Sequence, residues 1–183
     1  AALRRVAFAS GKGGTGKTML STSTAWLLAE RGLGARYVDV DVEEPDGHLF
    51  LHPEIDSERR FSEPVPAQVP ERCTGCGACQ EACAFNALVV AGTDLLVFHE
   101  LCHGCGLCTA VCPTQALVEV PHELGDVVHG RAGEVAFSGG RLDVGQARAT
   151  PLVEETVRAG AAHRAIVTVV DCPPGTSCAT MAA

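Results

Sequence analysis

Short apolar runs alternate with longer, helix-like stretches at both ends of the chain. Near the start, the pattern predicts a buried strand over Leu3–Ser10, a helix over Met19–Arg31 and a second strand over Ala35–Val42 that finishes among acidic residues. Towards the other end, it predicts a helix over Pro151–Ala162 and a buried strand over Ala165–Val170. Strands that alternate with helices in this way are typical of an α/β domain with a parallel sheet.

The middle of the chain breaks this alternation. Residues 51–72 carry four prolines among charged residues, which predicts a stiff linker. A β-hairpin is predicted over Leu88–Phe98, and weaker signals favour a second hairpin that joins Glu134–Phe137 to Arg141–Val144 around Gly139-Gly140. The pattern therefore predicts an α/β domain that is interrupted by an insert.

Composition and charge exclude several classes of protein. Hydrophobic residues make up 46% of the 183 residues and the net charge is −8, so the chain is neither disordered nor a nucleic-acid binder that works by bulk positive charge. No apolar run approaches the ~18 residues that a membrane span needs, and the first residues are too short an apolar stretch for a signal peptide. We therefore expect a cytoplasmic protein that binds neither membrane nor nucleic acid.

A glycine-rich segment carries the only two lysines of the chain, Lys12 and Lys17. Residues Gly11–Thr18 fit the pattern G-x-x-x-x-G-K-[ST], and they lie between a predicted strand and a predicted helix. In this pattern the glycines let backbone N–H groups surround phosphate oxygens, Lys17 meets the β and γ charges, and Thr18 holds Mg²⁺. The segment therefore predicts a phosphate-binding loop.

Eight of the ten cysteines lie between Cys73 and Cys112, in two runs of the form C-x2-C-x2-C-x3-C. The runs belong to an internal duplication, because Cys73–Val89 aligns with Cys102–Val118 without gaps. Three thiolates at this spacing hold three corners of a [4Fe–4S] cluster, and the fourth cysteine of each run ligates the other cluster. The spacing predicts one cluster on Cys73, Cys76, Cys79 and Cys112, and a second on Cys102, Cys105, Cys108 and Cys83. Zinc is the competing interpretation, but its paired C-x2-C knuckles usually lie further apart.

The segment Ala9–Thr18 resembles the deviant Walker A motif of the MinD/ParA/Mrp ATPases and the nitrogenase iron protein. The resemblance implies binding and hydrolysis of ATP with Mg²⁺, and an ATP-dependent homodimer in which Lys12 reaches the partner's nucleotide. It also implies that Asp41, or failing that Asp39, orients the attacking water, and that the strand before Asp171 lies between the first and second strands. The implied nucleotide and Mg²⁺ contacts are Gly11, Gly13, Gly14, Thr15, Gly16, Lys17, Thr18, Asp171, which holds Mg²⁺ through water, and Gly175.

The cysteine segment resembles a bacterial two-cluster ferredoxin, except that Ala84 stands where the usual pattern has proline. Together the two resemblances indicate a P-loop NTPase with a parallel sheet flanked by helices and an inserted α+β ferredoxin-like module. We expect residues 1–60 and 123–183 to form the two parts of the ATPase domain and residues 61–122 to form the insert. Because the resembling ATPases continue further, we expect an N-terminal fragment with an incomplete sheet. Cys172 and Cys178 match no ligand position, and we expect both to be small buried residues.

We expect an ATPase that couples nucleotide state to electron transfer through two [4Fe–4S] clusters, towards a redox partner that the sequence does not identify. One alternative is an iron–sulfur cluster carrier or a maturation factor for metalloenzymes, for which exposed, shared ligands would be expected. Another is a positioning ATPase of the ParA or MinD type, which would need a membrane-binding tail or a basic DNA-binding surface. Neither feature is present in these residues.

Overall fold

The computed structural model describes residues 4–160, 165–176 and 178–183. It divides into two compact units: the first runs to Phe61 and resumes at Leu124, and the second is Ser62–Glu123. In chain order the elements are β1 (Arg4–Phe8), α1 (Lys17–Glu30), β2 (Ala35–Asp39), α2 (Gly47–Leu51), β3 (Glu54–Gln68), α3 (Ala78–Ala82), β4 (Leu88–Ala91), β5 (Asp94–Val97), α4 (Leu107–Val111), β6 (Leu117–Ala132), β7 (Val135–Leu142), α5 (Thr150–Gly160), β8 (Val167–Asp171) and α6 (Cys178–Ala182).

A six-stranded sheet with the order β1-β8-β2-β7-β6-β3 forms the centre of the first unit. The strands β1, β8, β2 and β7 run parallel to one another, and β6 runs antiparallel to β7. The expected position of β8 between β1 and β2 is confirmed, since Val169 pairs with Val6 on one side and with Tyr37 on the other. A mostly parallel sheet flanked by helices confirms the α/β P-loop class that the sequence indicates.

Each face of this sheet buries its own apolar cluster, because successive residues of a strand point to opposite sides. On one face, Val38 and Val127 pack with Leu152 of helix α5. On the other face, Tyr37 and Phe137 pack with Ala25 of helix α1. All five residues of β2 are buried, which is typical of a parallel strand that is covered on both faces.

The predicted linker over residues 51–72 is wrong, because most of this segment is the long strand β3. The prediction rested on the prolines, because Pro64 and Pro66 have no backbone N–H to donate to a neighbouring strand. Proline is nevertheless tolerated in an edge strand. Strand β3 is the last in the order of the sheet and so needs partners on one side alone.

The predicted hairpin around Gly139-Gly140 is also wrong. Both glycines lie inside the continuous strand β7, which turns back from β6 at Gly133 and Glu134 instead. Gly140 is required by close packing rather than by a turn, because a Cβ atom at this position would lie 2.4 Å from Oγ1 of Thr156.

Strand β1 and helix α1 also differ from their predictions. Strand β1 is mostly exposed rather than buried, since it stands at one end of the sheet order and pairs with β8 alone among the described strands. Helix α1 begins two residues early, at Lys17, because the glycine-rich loop leads directly into it. The predicted ends at Leu3 and at residues 161–162 lie outside the described residues.

The second unit repeats one short motif twice, as the duplication predicts. Helices α3 and α4 begin five residues after Cys73 and Cys102 respectively, and Asn86 and Gln115 adopt matching left-handed φ values of 53° and 51°. The predicted hairpin is confirmed as β4 and β5, which are joined at Gly92 and Thr93. The buried apolar cluster of this unit is small and consists of Val65, Ala87 and Cys102.

Candidate functional site

The glycine-rich loop Gly11–Gly16 joins β1 to the first turn of α1. A Cβ atom built on Gly11, Gly13, Gly14 or Gly16 would meet nothing within 4 Å. This side of the loop therefore faces open space at the N-terminus of a fourteen-residue helix, where backbone N–H groups attract anions. The loop has the room and the donors that a bound phosphate chain requires.

Asp171 ends β8 and is almost completely buried. Its Oδ2 accepts a hydrogen bond of 3.0 Å from the hydroxyl of Tyr37, while its Oδ1 has no hydrogen-bond partner among the described residues. Burying a carboxylate oxygen without a donor is costly. A water molecule held by Mg²⁺ would supply that donor, so Asp171 fits the role that the resemblance implies.

Asp39 and Asp41 follow β2 but have different surroundings. Both carboxylate oxygens of Asp39 are used within the protein: Oδ2 accepts from the backbone N–H of Gly47 at 2.9 Å, and Oδ1 from that of Asp41 at 3.2 Å. Burial raises the pKa of Asp39 to about 8. Asp41 is half-buried, and burial raises its pKa to about 6 although the charge of Lys17 opposes this rise. Asp41 is therefore the better placed of the two to meet a ligand beside Lys17.

Gly175 lies directly beside the phosphate loop. Its backbone N–H donates to the carbonyl of Ser10 at 2.8 Å, and the hydroxyl of Ser10 donates to the carbonyl of Lys12 at 2.6 Å. The backbone N–H of Cys172 similarly donates to the carbonyl of Phe8 at 3.0 Å. The structure thus brings the segment after Asp171 against the loop, while the side chain of Lys12 is exposed.

The eight clustered cysteines line two separate cavities of the second unit. One cavity, of about 360 Å³ with open solvent included, is lined by Cys73, Cys76, Cys79 and Cys112. The other, of about 420 Å³ on the same measure, is lined by Cys83, Cys102, Cys105 and Cys108. Each cavity therefore draws three thiols from one run and the fourth from the other run, as in the crossed arrangement of two-cluster ferredoxins.

Backbone amides donate to the fourth cysteine of each run. The N–H of Ala87 donates to Sγ of Cys83 at 3.4 Å, and the N–H of Ala116 donates to Sγ of Cys112 at 3.2 Å. Burial opposes ionisation of Cys112, but hydrogen bonds from Ala116, Thr114 and Leu117 outweigh it and lower its pKa. Such N–H···S bonds stabilise the thiolate form, which is the form that ligates iron.

Four thiols line each of the two cavities. A zinc ion gathers its four ligands around one atom, whereas a [4Fe–4S] cluster takes one thiolate at each iron. The donor chemistry and the spread of four thiols around each cavity fit such a cluster.

Of the two cysteines outside these cavities, Cys172 is buried as expected, and the side chain of Cys178 lies outside the described residues. Sequence reasoning missed Tyr37 and Gly47, which adjoin Asp171 and Asp39. The sole signal for Tyr37 is that it is the one tyrosine of the chain.

Comparisons with known proteins place these features in context. Residues 72–117 match the family described as "4Fe-4S dicluster domain". The uncharacterized protein MJ0578 of Methanocaldococcus jannaschii is 32% identical over 179 residues, which is 96% of this chain and 62% of the relative. The cell division protein PomZ of Myxococcus xanthus is 58% identical over 38 residues, which is 21% of this chain and 12% of PomZ.

Two solved structures are also similar to the chain. The septum site-determining protein MinD of Pyrococcus horikoshii, complexed with Mg-ADP, has a TM-score of 0.48 at 18% identity over 100% of this chain and 54% of that one. The cell division ATPase MinD of Pyrococcus furiosus has a TM-score of 0.47 at 18% identity over 98% and 54%. This chain therefore spans about half to two thirds of the length of MJ0578 and the MinD proteins.

The 4Fe–4S part of the recognition is confirmed, because residues 72–117 match a dicluster domain. The phosphate loop at the end of β1 and the mostly parallel sheet agree with the α/β P-loop fold that the sequence indicates. No helix in the described part of the chain combines the length and the apolar character that crossing a membrane requires.

Proposed function

We propose that this chain forms the nucleotide-binding and iron–sulfur parts of an ATPase that couples nucleotide state to electron transfer through two [4Fe–4S] clusters. One observation carries the proposal: a phosphate loop beside a buried carboxylate lies in the same chain as two four-cysteine cavities. A P-loop alone would fit many NTPases, and the cysteine cavities alone would fit a simple ferredoxin. Their combination favours a protein in which the two activities are linked.

In the nucleotide site, the backbone N–H groups of Gly11–Gly16 bind the phosphate chain and Lys17 faces its β and γ charges. Thr18 and Asp171 hold Mg²⁺, Asp171 through a water molecule. When bound, Mg²⁺ offsets charge on the phosphates. Gly175 lies against the loop through Ser10, and in this proposal it contacts the terminal phosphate.

Asp41 orients the attacking water in this proposal. With a pKa of about 6 it is mostly ionised at neutral pH, so it accepts a hydrogen bond from water. Asp39 is unsuited to this role because backbone N–H groups already occupy both of its oxygens. Asp39 instead holds the start of α2 in place behind Asp41.

The exposed side chain of Lys12 acts across a homodimer in this proposal. An exposed lysine that protrudes from a phosphate loop can reach a nucleotide on another subunit. Dimerisation would then depend on ATP, because the ligand supplies the negative charge that Lys12 meets.

The two groups of four cysteines hold the clusters, which supply one-electron redox centres when bound. Chain order supports a link between the two activities, since the segment from Asp41 leads through β3 into the second unit. The chain then returns through β6, β7 and α5 to the strand that ends at Asp171.

The lysines and Asp41 provide the decisive experiment. Lys17→Ala should reduce nucleotide affinity by more than about a hundredfold, because it removes the charge that faces the β and γ phosphates. Lys12→Ala should keep nucleotide binding yet lose ATP-dependent dimerisation and turnover. Asp41→Asn should bind ATP normally and hydrolyse it slowly. These effects are measured by calorimetry, light scattering and phosphate release on anaerobically prepared protein.

The redox half is tested in the same preparations. About eight irons per chain are expected from two four-iron clusters, and the midpoint potentials should differ between ADP and a non-hydrolysable ATP analogue. A Lys17→Ala protein should keep its iron but lose that difference. Identical potentials in both nucleotide states of the wild type would contradict the coupling, although ATPase activity could survive.

One observation favours a second function. Cys76 and Cys105 are exposed while Cys102 is buried, so each cavity has one ligand that a partner could approach. A cluster carrier would use this access to hand its clusters to an acceptor. Transfer of iron and sulfide to an apo-ferredoxin, measured by its returning absorbance, would favour the carrier, whereas retention through many redox cycles favours electron transfer.

A further inference from the structure

Tyr37 connects the Mg²⁺ side of the nucleotide site to the core beneath it. The side chain is fully buried in β2, and its hydroxyl donates to Oδ2 of Asp171 at 3.0 Å. Among the described residues this is the one hydrogen bond recorded for the Asp171 carboxylate. The phenol therefore determines which oxygen of Asp171 is held by the protein and which is left for another donor.

The phenol has little freedom to move. Its ring stacks on Phe137 with the centroids 5.8 Å apart. On another side, the backbone of Gly47 lies so close that a Cβ atom there would be 2.3 Å from the phenol oxygen and 2.5 Å from Cε1. Gly47 in turn donates its N–H to Oδ2 of Asp39, which fixes its backbone. Because ring and backbone are both held, the hydroxyl is a pre-positioned donor.

Packing alone does not account for a tyrosine at this position. Phenylalanine would fill the same space against Phe137 and Gly47, and it would bring no polar atom into the core. The hydroxyl is tolerated because Asp171 accepts its hydrogen bond, and a bond to a charged acceptor is stronger than one between neutral groups. Without that donor, Asp171 would have two oxygens to satisfy and no fixed orientation.

We propose that Tyr37 is a positioning residue for Mg²⁺–nucleotide binding: it holds Oδ2 of Asp171 and so leaves Oδ1 as the oxygen that receives the Mg²⁺-bound water. Tyr37 touches neither nucleotide nor ion, and it acts through Asp171 alone. This inference rests on the proposed function, because it assigns a task to the carboxylate that the function places beside Mg²⁺.

Tyr37→Phe in the full chain tests the proposal, since it removes one oxygen atom and keeps the ring. The measurement is the affinity for ADP by calorimetry, with Mg²⁺ and with EDTA. In the wild type, Mg²⁺ should strengthen the binding of ADP. In Tyr37→Phe this gain in affinity should be about tenfold smaller, because one charge-assisted hydrogen bond is lost. The affinity in EDTA should not change.

Two further variants separate positioning from packing. Phe137→Leu disturbs the stacked ring and should lower the unfolding temperature, followed by the fluorescence of Trp26, while leaving most of the Mg²⁺ gain. Asp171→Asn should remove the gain, and Tyr37→Phe should add nothing further in that background, because the two residues act in series. Gly47→Ala, which would displace the phenol, should reproduce the effect of Tyr37→Phe and serves if that variant does not fold.

The possible outcomes are distinct. An unchanged Mg²⁺ gain in Tyr37→Phe, or equal losses in Mg²⁺ and EDTA, overturns the positioning role and leaves the proposed function standing. Additive losses in the double variant overturn it as well. A wild-type chain that binds ADP equally with Mg²⁺ and with EDTA overturns the placement of Mg²⁺ at Asp171 and the positioning role together.

Discussion

Each of the two units of this chain is stabilised in a different way. The first unit buries aliphatic and aromatic side chains on both faces of a sheet, with Val38 and Leu152 on one side and Tyr37 and Phe137 on the other. The second unit has a small buried cluster of Val65, Ala87 and Cys102, with two cysteine-lined cavities beside it. Hydrophobic burial can stabilise the first unit by itself, whereas the second lacks a comparable core.

This difference explains where each unit puts its functional groups. In the first unit, the residues proposed to meet the nucleotide lie on loops after strands that are already fixed by the core, such as Asp41 after β2 and Gly175 after β8. In the second unit, cysteines line the two cavities beside the small buried cluster, so clusters held there would take part in folding. Small domains that cannot bury enough apolar surface commonly rely on such metal centres.

The largest expected effect follows from removing the clusters. Anaerobic iron chelation of the full chain should abolish amide protection across residues 73–118, because the second unit then loses the clusters that join its two cysteine runs. The unfolding free energy of the first unit, followed through the single tryptophan Trp26, should change by no more than about 0.5 kcal/mol. Hydrogen exchange and urea titration measure the two effects separately.

Single cysteine variants sharpen this test. Cys112→Ala should expose the segment Cys73–Cys79 more than Cys102–Cys108, and Cys83→Ala should do the reverse. Cys172→Ala is the matched control, since this buried cysteine lines neither cavity and its loss should leave the iron content unchanged. Full amide protection of the second unit after iron removal would show that it folds without clusters.

Local sequence signals identified most of the two sites because their chemistry depends on spacing. The phosphate loop and both cysteine runs are contiguous motifs, so the lining of each cavity could be anticipated from the order of the thiols. Contacts between residues that are far apart in the chain could not be predicted in this way. The prolines of β3 indicated a linker, because the sequence does not reveal that the strand lies at a sheet edge. The bond from Tyr37 to Asp171 joins residues 134 positions apart and has no local signature.

A mutation of intermediate effect tests how tightly the first unit is packed. Gly140→Ala would place a Cβ atom 2.4 Å from Oγ1 of Thr156 and 2.7 Å from Cγ1 of Val42. Overpacking of this kind should cost about 1–3 kcal/mol of unfolding free energy, measured by urea titration of Trp26 fluorescence. Iron content should be unaffected, since the strain lies wholly in the first unit.

Gly139→Ala is the matched control for this variant. Its Cβ atom would lie 3.4 Å from the nearest atoms of Phe137, a distance that a small shift of the ring relieves. Because alanine restricts the unfolded chain more than glycine does, this variant should be neutral or slightly stabilising, by up to about 1 kcal/mol. Equal destabilisation by both substitutions would attribute the effect to the strand as a whole rather than to contact with α5.

The smallest expected effect concerns a carboxylate in the first unit that stabilises by charge. Asp126 accepts hydrogen bonds of 3.0 Å from Arg60 and 2.9 Å from Arg141, and although burial opposes its charge, these bonds lower its pKa. A lowered pKa means that the stabilisation is present above pH ~4 and is lost as the pH falls below the unfolded value. Both arginines are largely exposed, so Asp126→Asn should cost about 1 kcal/mol at pH 7.

The pH dependence separates this charge effect from lost packing. Asparagine keeps the shape of the side chain but does not titrate, so the difference in unfolding free energy between wild type and Asp126→Asn should shrink as the pH falls from 7 to 3. Trp26 fluorescence is a suitable signal because it does not depend on acid-labile clusters in the second unit. A difference that stays constant over this range would mean that Asp126 contributes through shape alone and not through its charge.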